Sequence, residues 1–177
     1  MRKLKKKIAF DLDGVVYDMV PQLDAYFESQ GLKLKKPECY ELKDRYGTSK
    51  EISGKILSEF GDTRPFLTMP LIEGAKQEML IRSKYCELYV VTFRDWTPHG
   101  IEDTLERIKR DELPIKEDHI IFSHEKGDIA KKLGINVFYE DNLDNARDIV
   151  NKSDSTVVLI HTPYNEGEIK RTQRIKW

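Results

Sequence analysis

The residues of this chain that could do chemistry fall at the ends of apolar runs. Ile8, Ala9 and Phe10 lead straight into Asp11 and Asp13, one residue apart, and then Gly14. Side chains two apart on an extended segment point to the same side. Two carboxylates placed that way repel each other unless a positive charge or a proton sits between them. Further along, the run Glu87–Phe93 carries Thr92, with Arg94 behind it. Lys126 follows the run His119–Ser123, and Val137–Asp141 closes on Glu140 and Asp141. Taken singly, an Asp at a strand end commonly caps the next helix, and a Lys is usually solvated. Together they set two acids, a hydroxyl, a cation and a further acidic pair in order along the chain.

The elements that must position them follow from hydrophobic pattern. KKIAFDLD, Glu87–Phe93, His119–Ser123, Val137–Asp141 and Thr156–Thr162 read as five short buried strands. Helical patterns separate the later ones. Ile101, Leu105 and Ile108 share a face, with Asp95 or Thr97 as cap and Pro98 in the first turn. Ile129 and Leu133 precede a Gly134 stop, and Ala146, Ile149 and Val150 form a third apolar face. Strand alternating with helix predicts an α/β fold, a Rossmann-like three-layer core on a parallel sheet. In such a sheet every strand end named above lies on one rim, where ligands bind.

Roughly sixty residues interrupt this rhythm after the first strand, longer than an ordinary crossover. They hold a helical pattern after Pro21 with Leu23, Tyr26 and Phe27. A second opens on Thr48-Ser49-Lys50-Glu51, a capping-box pattern, and carries Ile52, Ile56, Leu57 and Phe60. We expect a small helical cap, residues 17–73, inserted into a core of residues 1–16 and 74–177.

Bulk properties narrow the class. The 177 residues suit one domain with an insertion, and 34% charged residues nearly cancel to a formal net charge of -1. That balance makes nucleic acid an improbable partner. No apolar run approaches the roughly 18 to 20 residues of a membrane span, which points to a cytoplasmic protein. The basic run at residues 2–7 reads as a solvated flank of the first strand. Cys39 and Cys86 lack CxxC spacing and read as free thiols, and the four histidines show no metal-ligand spacing.

The motifs carry a resemblance. DLDGV, Asp11 to Val15, resembles the first motif of the haloacid dehalogenase-like phosphohydrolases, DxDGx. VVTFR resembles the second, Lys126 the third and YEDN the fourth, in order over residues 8–145. The chain is further similar to the 5'(3')-deoxyribonucleotidase branch in PFLTMPLIEGA (Pro65 to Ala75), in its T-F-R and E-D-N triplets, and in HTPYN (His161 to Asn165). It departs from the animal members by Glu140-Asp141 where they have Asp-Asp, and by Thr92-Phe93-Arg94 where they have Thr-Ser-Pro. These departures bear on substrate rather than on phosphate chemistry.

What the resemblance implies is a magnesium-dependent phosphomonoesterase. Asp11 would be the nucleophile, forming an aspartyl phosphate, and Asp13 the acid and then base. Thr92 and Lys126 would bind the transferring phosphoryl group, and Gly14 would let the chain pass close beside it. Magnesium would be held by Asp11, the backbone carbonyl of Asp13, and Asp141, an oxygen set that suits it. Glu140 would either support the metal or face solvent; Asp128 would hold Lys126 or favour its helix dipole. Arg94 would reach phosphate or substrate, or make a surface ion pair. Phe93, Tyr17 and Phe66 complete the expected substrate contacts, while Phe27, Tyr40, Tyr46 and Phe60 pack the cap or stack a base. The expected substrate is a nucleoside monophosphate. Another small phosphorylated metabolite, a nucleic-acid 3'-phosphate and a non-catalytic phosphate-binding module are the alternatives.

Overall fold

The computed structural model describes residues 5–176. Residues 2–4 of the basic run therefore lie outside the described residues; Lys5 and Lys6 are exposed or flank the first strand. Strands β1 (Lys7–Phe10), β2 (Glu87–Thr92), β3 (Ile120–Phe122), β4 (Val137–Glu140), β5 (Thr156–Ile160) and β6 (Thr172–Ile175) form one sheet in the order β3-β2-β1-β4-β5-β6. Every pairing is parallel. Alternation along the strands sorts the core into two layers. Ile8, Phe10, Leu88, Val90 and Tyr139 face one layer; Ala9, Tyr89, Val91, Phe138 and Val157 face the other. Helices α6 (Lys126–Leu133) and α7 (Leu143–Lys152) cover the second face through Ala130, Ala146, Ile149 and Val150. Helices α4 (Ala75–Ser83) and α5 (Gly100–Arg110) cover the first through Met79 and Ile108.

The five expected strands form, four of them within two residues of their expected ends, while β1 stops at Phe10, three residues before Asp13. The sixth was not expected. β6 reads TQRI, with exposed Gln173 and Arg174, so it carries no apolar run. As an edge strand it needs only one pairing, Val157↔Thr172 to Ile160↔Ile175, and polar residues keep that edge soluble.

Helix starts also shift. α5 begins at Gly100 with His99 as the residue before it, so neither Asp95 nor Thr97 caps it and Pro98 lies outside. Its buried face is Asp103, Thr104, Arg107 and Ile108, while Ile101 is exposed. Charged residues fill that face because partners come from elsewhere: Arg64 reaches Asp103, and Arg107 donates to the carbonyl of Leu67 at 2.8 Å. Gly134 ends α6 in the left-handed region, φ 65°, as expected.

Between β1 and β2 the insertion supplies α1 (Val20–Ser29), α2 (Leu42–Tyr46) and α3 (Lys50–Asp62). Ser49, rather than Thr48, caps α3, its hydroxyl accepting from the Ile52 amide at 3.1 Å. Ile56 and Phe60 turn inward, but Ile52 is exposed. Phe27 stacks on Tyr46 with centroids 4.1 Å apart at 13°. The chain enters and leaves this insertion through a short neck: Asp18 donates to the Pro70 carbonyl and Ile72 to that of Val16, both at 2.9 Å. The core runs on unbroken from the sheet through Val16 and Phe66 to Phe27 and Phe60. Among the described residues no helix is long and apolar enough to cross a membrane. Cys39 and Cys86 are both free.

One continuous core should unfold in one step. Phe27→Ala removes a fully buried ring, and the expected loss is about 3–5 kcal/mol in urea unfolding. Circular dichroism and tryptophan fluorescence should give coincident transitions; a separate early transition would mean that the insertion has a core of its own.

Candidate active site

β1 ends at Phe10 because Asp11 enters the sheet's rim, its amide still bonded to the Tyr139 carbonyl at 2.9 Å. The chain then closes a tight loop. The amides of Val16 and Tyr17 both bond the Leu12 carbonyl at 2.8 Å. Gly14 sits at its apex with φ 73°, and a Cβ there would collide with the Asp141 carboxylate. The first acidic motif is thus folded directly against the last.

Lys126 opens α6 and is buried, with its ammonium 2.7 Å from Asp11 Oδ2 and 2.7 Å from Glu140 Oε2. Glu140 is fully buried. Its other oxygen, Oε1, accepts from the amides of Asp141 at 3.3 Å and Asn142 at 3.0 Å, and from Asn145 Nδ2 at 3.3 Å. It therefore faces neither solvent nor a vacant ligand position: it holds the lysine. Asp128 does not, since it pairs with Lys152 at 2.6 Å. Asn142 caps α7, accepting from Asp144 and Asn145 at 2.9 and 3.0 Å, and so fixes Asp141 at the strand-to-helix turn.

Asp13 has a different partner. Arg94 meets it with a planar fork, Nε to Oδ2 at 3.0 Å and Nη2 to Oδ1 at 2.7 Å. Arg94 is 0% exposed, so its pair is not the surface one the sequence allowed. Thr92 is also fully buried, and its hydroxyl has no partner among the described residues. A buried hydroxyl left unmatched is costly, and an anion at the rim would satisfy it.

Charge accounting shows what the cluster lacks. Asp11, Glu140 and Asp141 are all buried, with one oxygen of each within 4.8 Å of the others. Against those three carboxylates stands the single ammonium of Lys126. Burial pushes the Asp11 carboxyl up to about 7; Lys126 works against that, and the Glu140 and Asp13 charges add to it. Burial also raises Asp141 well above its usual range, with Glu140 and Asp11 contributing. Burial opposes the charge on Lys126, but Asp11 and Glu140 overcome it and hold the ammonium protonated. The cluster is short of positive charge, and the ligand atoms it offers are carboxylate oxygens. That donor set fits magnesium, with Asp11 and Asp141 each engaged through Oδ2 and Glu140 engaged through both oxygens.

The rim opens into a cleft of about 620 Å³. Asp11, Asp13, Gly14, Phe93, Lys126 and Asp141 line it. Tyr17 and Phe66 do not. Both are fully buried: the Tyr17 hydroxyl donates to Asp111 at 2.9 Å, and Phe66 lies under Arg94 at 4.4 Å. Pointing inward from the neck, they support the site from behind. The aromatic lining comes instead from Tyr40, Phe93, Trp96 and Tyr164.

Three residues near the C-terminus were not singled out by the sequence. Tyr164 donates to Asp141 Oδ2, and burial beside that carboxylate keeps its hydroxyl protonated. Asn165, fully buried, donates to the carbonyls of Asp141 and Ile160 at 2.7 Å each and accepts from Arg174 of β6 at 2.5 Å. The only signal for Tyr164 and Asn165 was the segment HTPYN, which sequence pattern alone does not connect to Asp141, and Arg174 had none.

Taken with the parallel sheet and its helical insertion after β1, this geometry defines a haloacid dehalogenase-like fold. A haloacid dehalogenase-like family hydrolase from Streptococcus pneumoniae superposes with a TM-score of 0.64, at 15% identity, over 91% of this chain and 86% of that one. A haloacid dehalogenase-like family hydrolase from Xanthomonas campestris does so with a TM-score of 0.61, at 12% identity, over 97% and 90%. In sequence, the chain is similar to a protein named "Putative nucleotidase BH1399" from Halalkalibacterium halodurans, 27% identical over 164 residues, 91% of this chain and 82% of that protein. No model of a protein family matches the chain.

The electrostatics give a signed prediction. A carboxyl whose folded pKa is raised binds its proton more readily folded than unfolded. Its contribution to stability is therefore present at low pH and lost as pH rises from its ordinary 3.8 through about 7. Metal-free protein should show a melting temperature that falls between pH 5 and 8. Magnesium should restore it more at pH 8 than at pH 5, and Asp11→Asn should flatten both effects. A thermal melt with and without chelator checks this; no magnesium response at pH 8 would contradict a cation site here.

Proposed function

We propose that this protein is a magnesium-dependent phosphomonoesterase acting through an aspartyl phosphate on Asp11, with nucleoside monophosphates as its substrates. The observation that carries the chemistry is the buried set of Asp11, Lys126 and Asp141 opening, beside Asp13, into one cleft. Phosphate monoesters hydrolyse slowly because a dianion repels its attacker and the leaving alkoxide is poor. Each residue answers one of these obstacles.

An Asp11 carboxylate oxygen attacks phosphorus in line; the new P–O bond forms as the ester P–O bond breaks. Asp13, carrying a proton in the substrate complex, gives it to the departing ester oxygen and becomes the carboxylate that Arg94 grips. It then takes a proton from water, whose oxygen bonds to phosphorus while the Asp11–phosphorus bond breaks. Inorganic phosphate leaves, and both aspartates return to their starting states. Thr92 donates its unmatched hydroxyl to the phosphoryl oxygens, and Lys126, held by Glu140, neutralises their charge. Magnesium on Asp11, Asp141 and the Asp13 carbonyl would supply the two positive charges that the carboxylate cluster and the phosphate dianion require.

The insertion, residues 17–73, serves as the cap and brings Tyr40, Arg45 and Leu57 over the cleft. Tyr40, Phe93 and Trp96 offer faces on which a base can stack, and the similarity to a protein named as a nucleotidase agrees with that choice.

Phosphate release with magnesium from deoxy- and ribonucleoside 5'- and 3'-monophosphates, sugar phosphates and a phosphorylated oligonucleotide tests this. Turnover should be confined to nucleotides, and fall at least about 10³-fold in Asp11→Asn and with chelator. Turnover of sugar phosphates alone would retain the mechanism and replace the substrate. Tight phosphate binding with no turnover would mark a non-catalytic module.

A further inference from the structure

The two aspartates of the first motif are held in unlike ways, and the difference concerns Arg94. Asp11 shares an ammonium with Glu140. Asp13 has a guanidinium to itself, gripped at both oxygens. Nothing about Arg94 is free to move. Its guanidinium lies 4.4 Å from the Phe66 ring centre and 5.2 Å from that of Tyr17. Nη1 is 3.4 Å from the Thr104 hydroxyl and Nη2 3.9 Å from the Met69 sulfur. These walls come from α5, from the loop after β1 and from the segment returning from the insertion. Arg94 does not line the cleft, and its Nε and Nη2 are both taken up by Asp13. Asp13 does line it, with a fifth of its side chain exposed.

We infer that Arg94 is a positioning residue that acts through Asp13, fixing the rotamer from which that carboxylate gives and takes protons. This rests on the phosphatase reading proposed above. A carboxylate has about four lone-pair sites on two oxygens, and a bidentate guanidinium fills one on each. Two remain, on a side chain that lines the cleft. A lysine at this position would keep the charge but lose the planar fork, leaving Asp13 free to rotate. A small misplacement of a proton donor costs far more in rate than in substrate affinity.

The test separates the two proton transfers. A nucleoside monophosphate releases an alkoxide and needs a proton at once. p-Nitrophenyl phosphate releases a stable phenolate and needs Asp13 only for the water step. For Arg94→Lys, kcat on the nucleotide should fall about 100-fold with KM nearly unchanged, within the range a general acid contributes. With p-nitrophenyl phosphate the same variant should show a burst of about one nitrophenolate per site at near wild-type rate, then slow turnover. Asp13→Asn should give the same pattern, and adding Arg94→Lys to Asp13→Asn should cost nothing further. If Arg94→Lys is poorly folded by circular dichroism, Phe66→Leu, which removes the ring against the guanidinium and keeps the fork, should show the same split at about 3- to 10-fold. Equal losses on both substrates and in both phases, or a double variant well below Asp13→Asn, would overturn the inference. Wild-type protein that hydrolyses neither compound would overturn the phosphatase reading itself, and this inference with it.

Discussion

Three buried carboxylates contend for one ammonium at the centre of this fold, and the surrounding structure is organised around that imbalance. Taking ions out of water costs several kcal/mol each, so such a cluster persists only where geometry is fixed and lone pairs are matched. Glu140 shows how. Its oxygens are matched by Lys126, by two amides at the start of α7 and by Asn145. Asp141 is tied from outside by Tyr164 and Asn165. Asp11 and Asp141 each have one side-chain partner on the carboxylate, and both face the cleft. A site arranged this way has its remaining negative charge where an incoming cation can reach it.

Asp13, two residues away, has a counter-ion of its own. Its charge is balanced within its own pair, and that pair sits against aromatic rings rather than against other acids. Two carboxylates from one loop thus acquire unlike environments, the division that the proposed mechanism calls for. Gly14 between them allows the loop to close this tightly, since any side chain there would strike Asp141.

The helical insertion is joined to the sheet by more than its neck. Val16, Tyr17, Phe66 and Met69 are fully buried at the junction and continue the sheet's core into α1 and α3. The same junction residues wall in Arg94, and Tyr40 of the insertion packs on Tyr164, centroids 5.5 Å apart, beside Asp141. Cleft, neck and acidic cluster are therefore one mechanical unit, and the insertion's position bears on the site from two sides.

Much of this was legible in the sequence. Short apolar runs, separated by helical faces, pointed to a parallel α/β sheet, and in such a sheet Asp11, Thr92 and Glu140 must end on one rim because every strand runs the same way. Gly134 and Ser49 marked helix ends through local backbone chemistry. These features depend on neighbours within a few residues. β6 escaped because an edge strand needs no apolar run, and the buried face of α5 escaped because its charged residues find partners outside the helix. Only the tertiary structure decided that Glu140 holds Lys126, that Arg94 grips Asp13 across 81 residues, that Tyr17 and Phe66 turn away from the cleft, and that Tyr164 reaches Asp141. Pattern reports which way a side chain faces relative to its own element. Which charge it meets there depends on how distant elements pack, and no local periodicity carries that information.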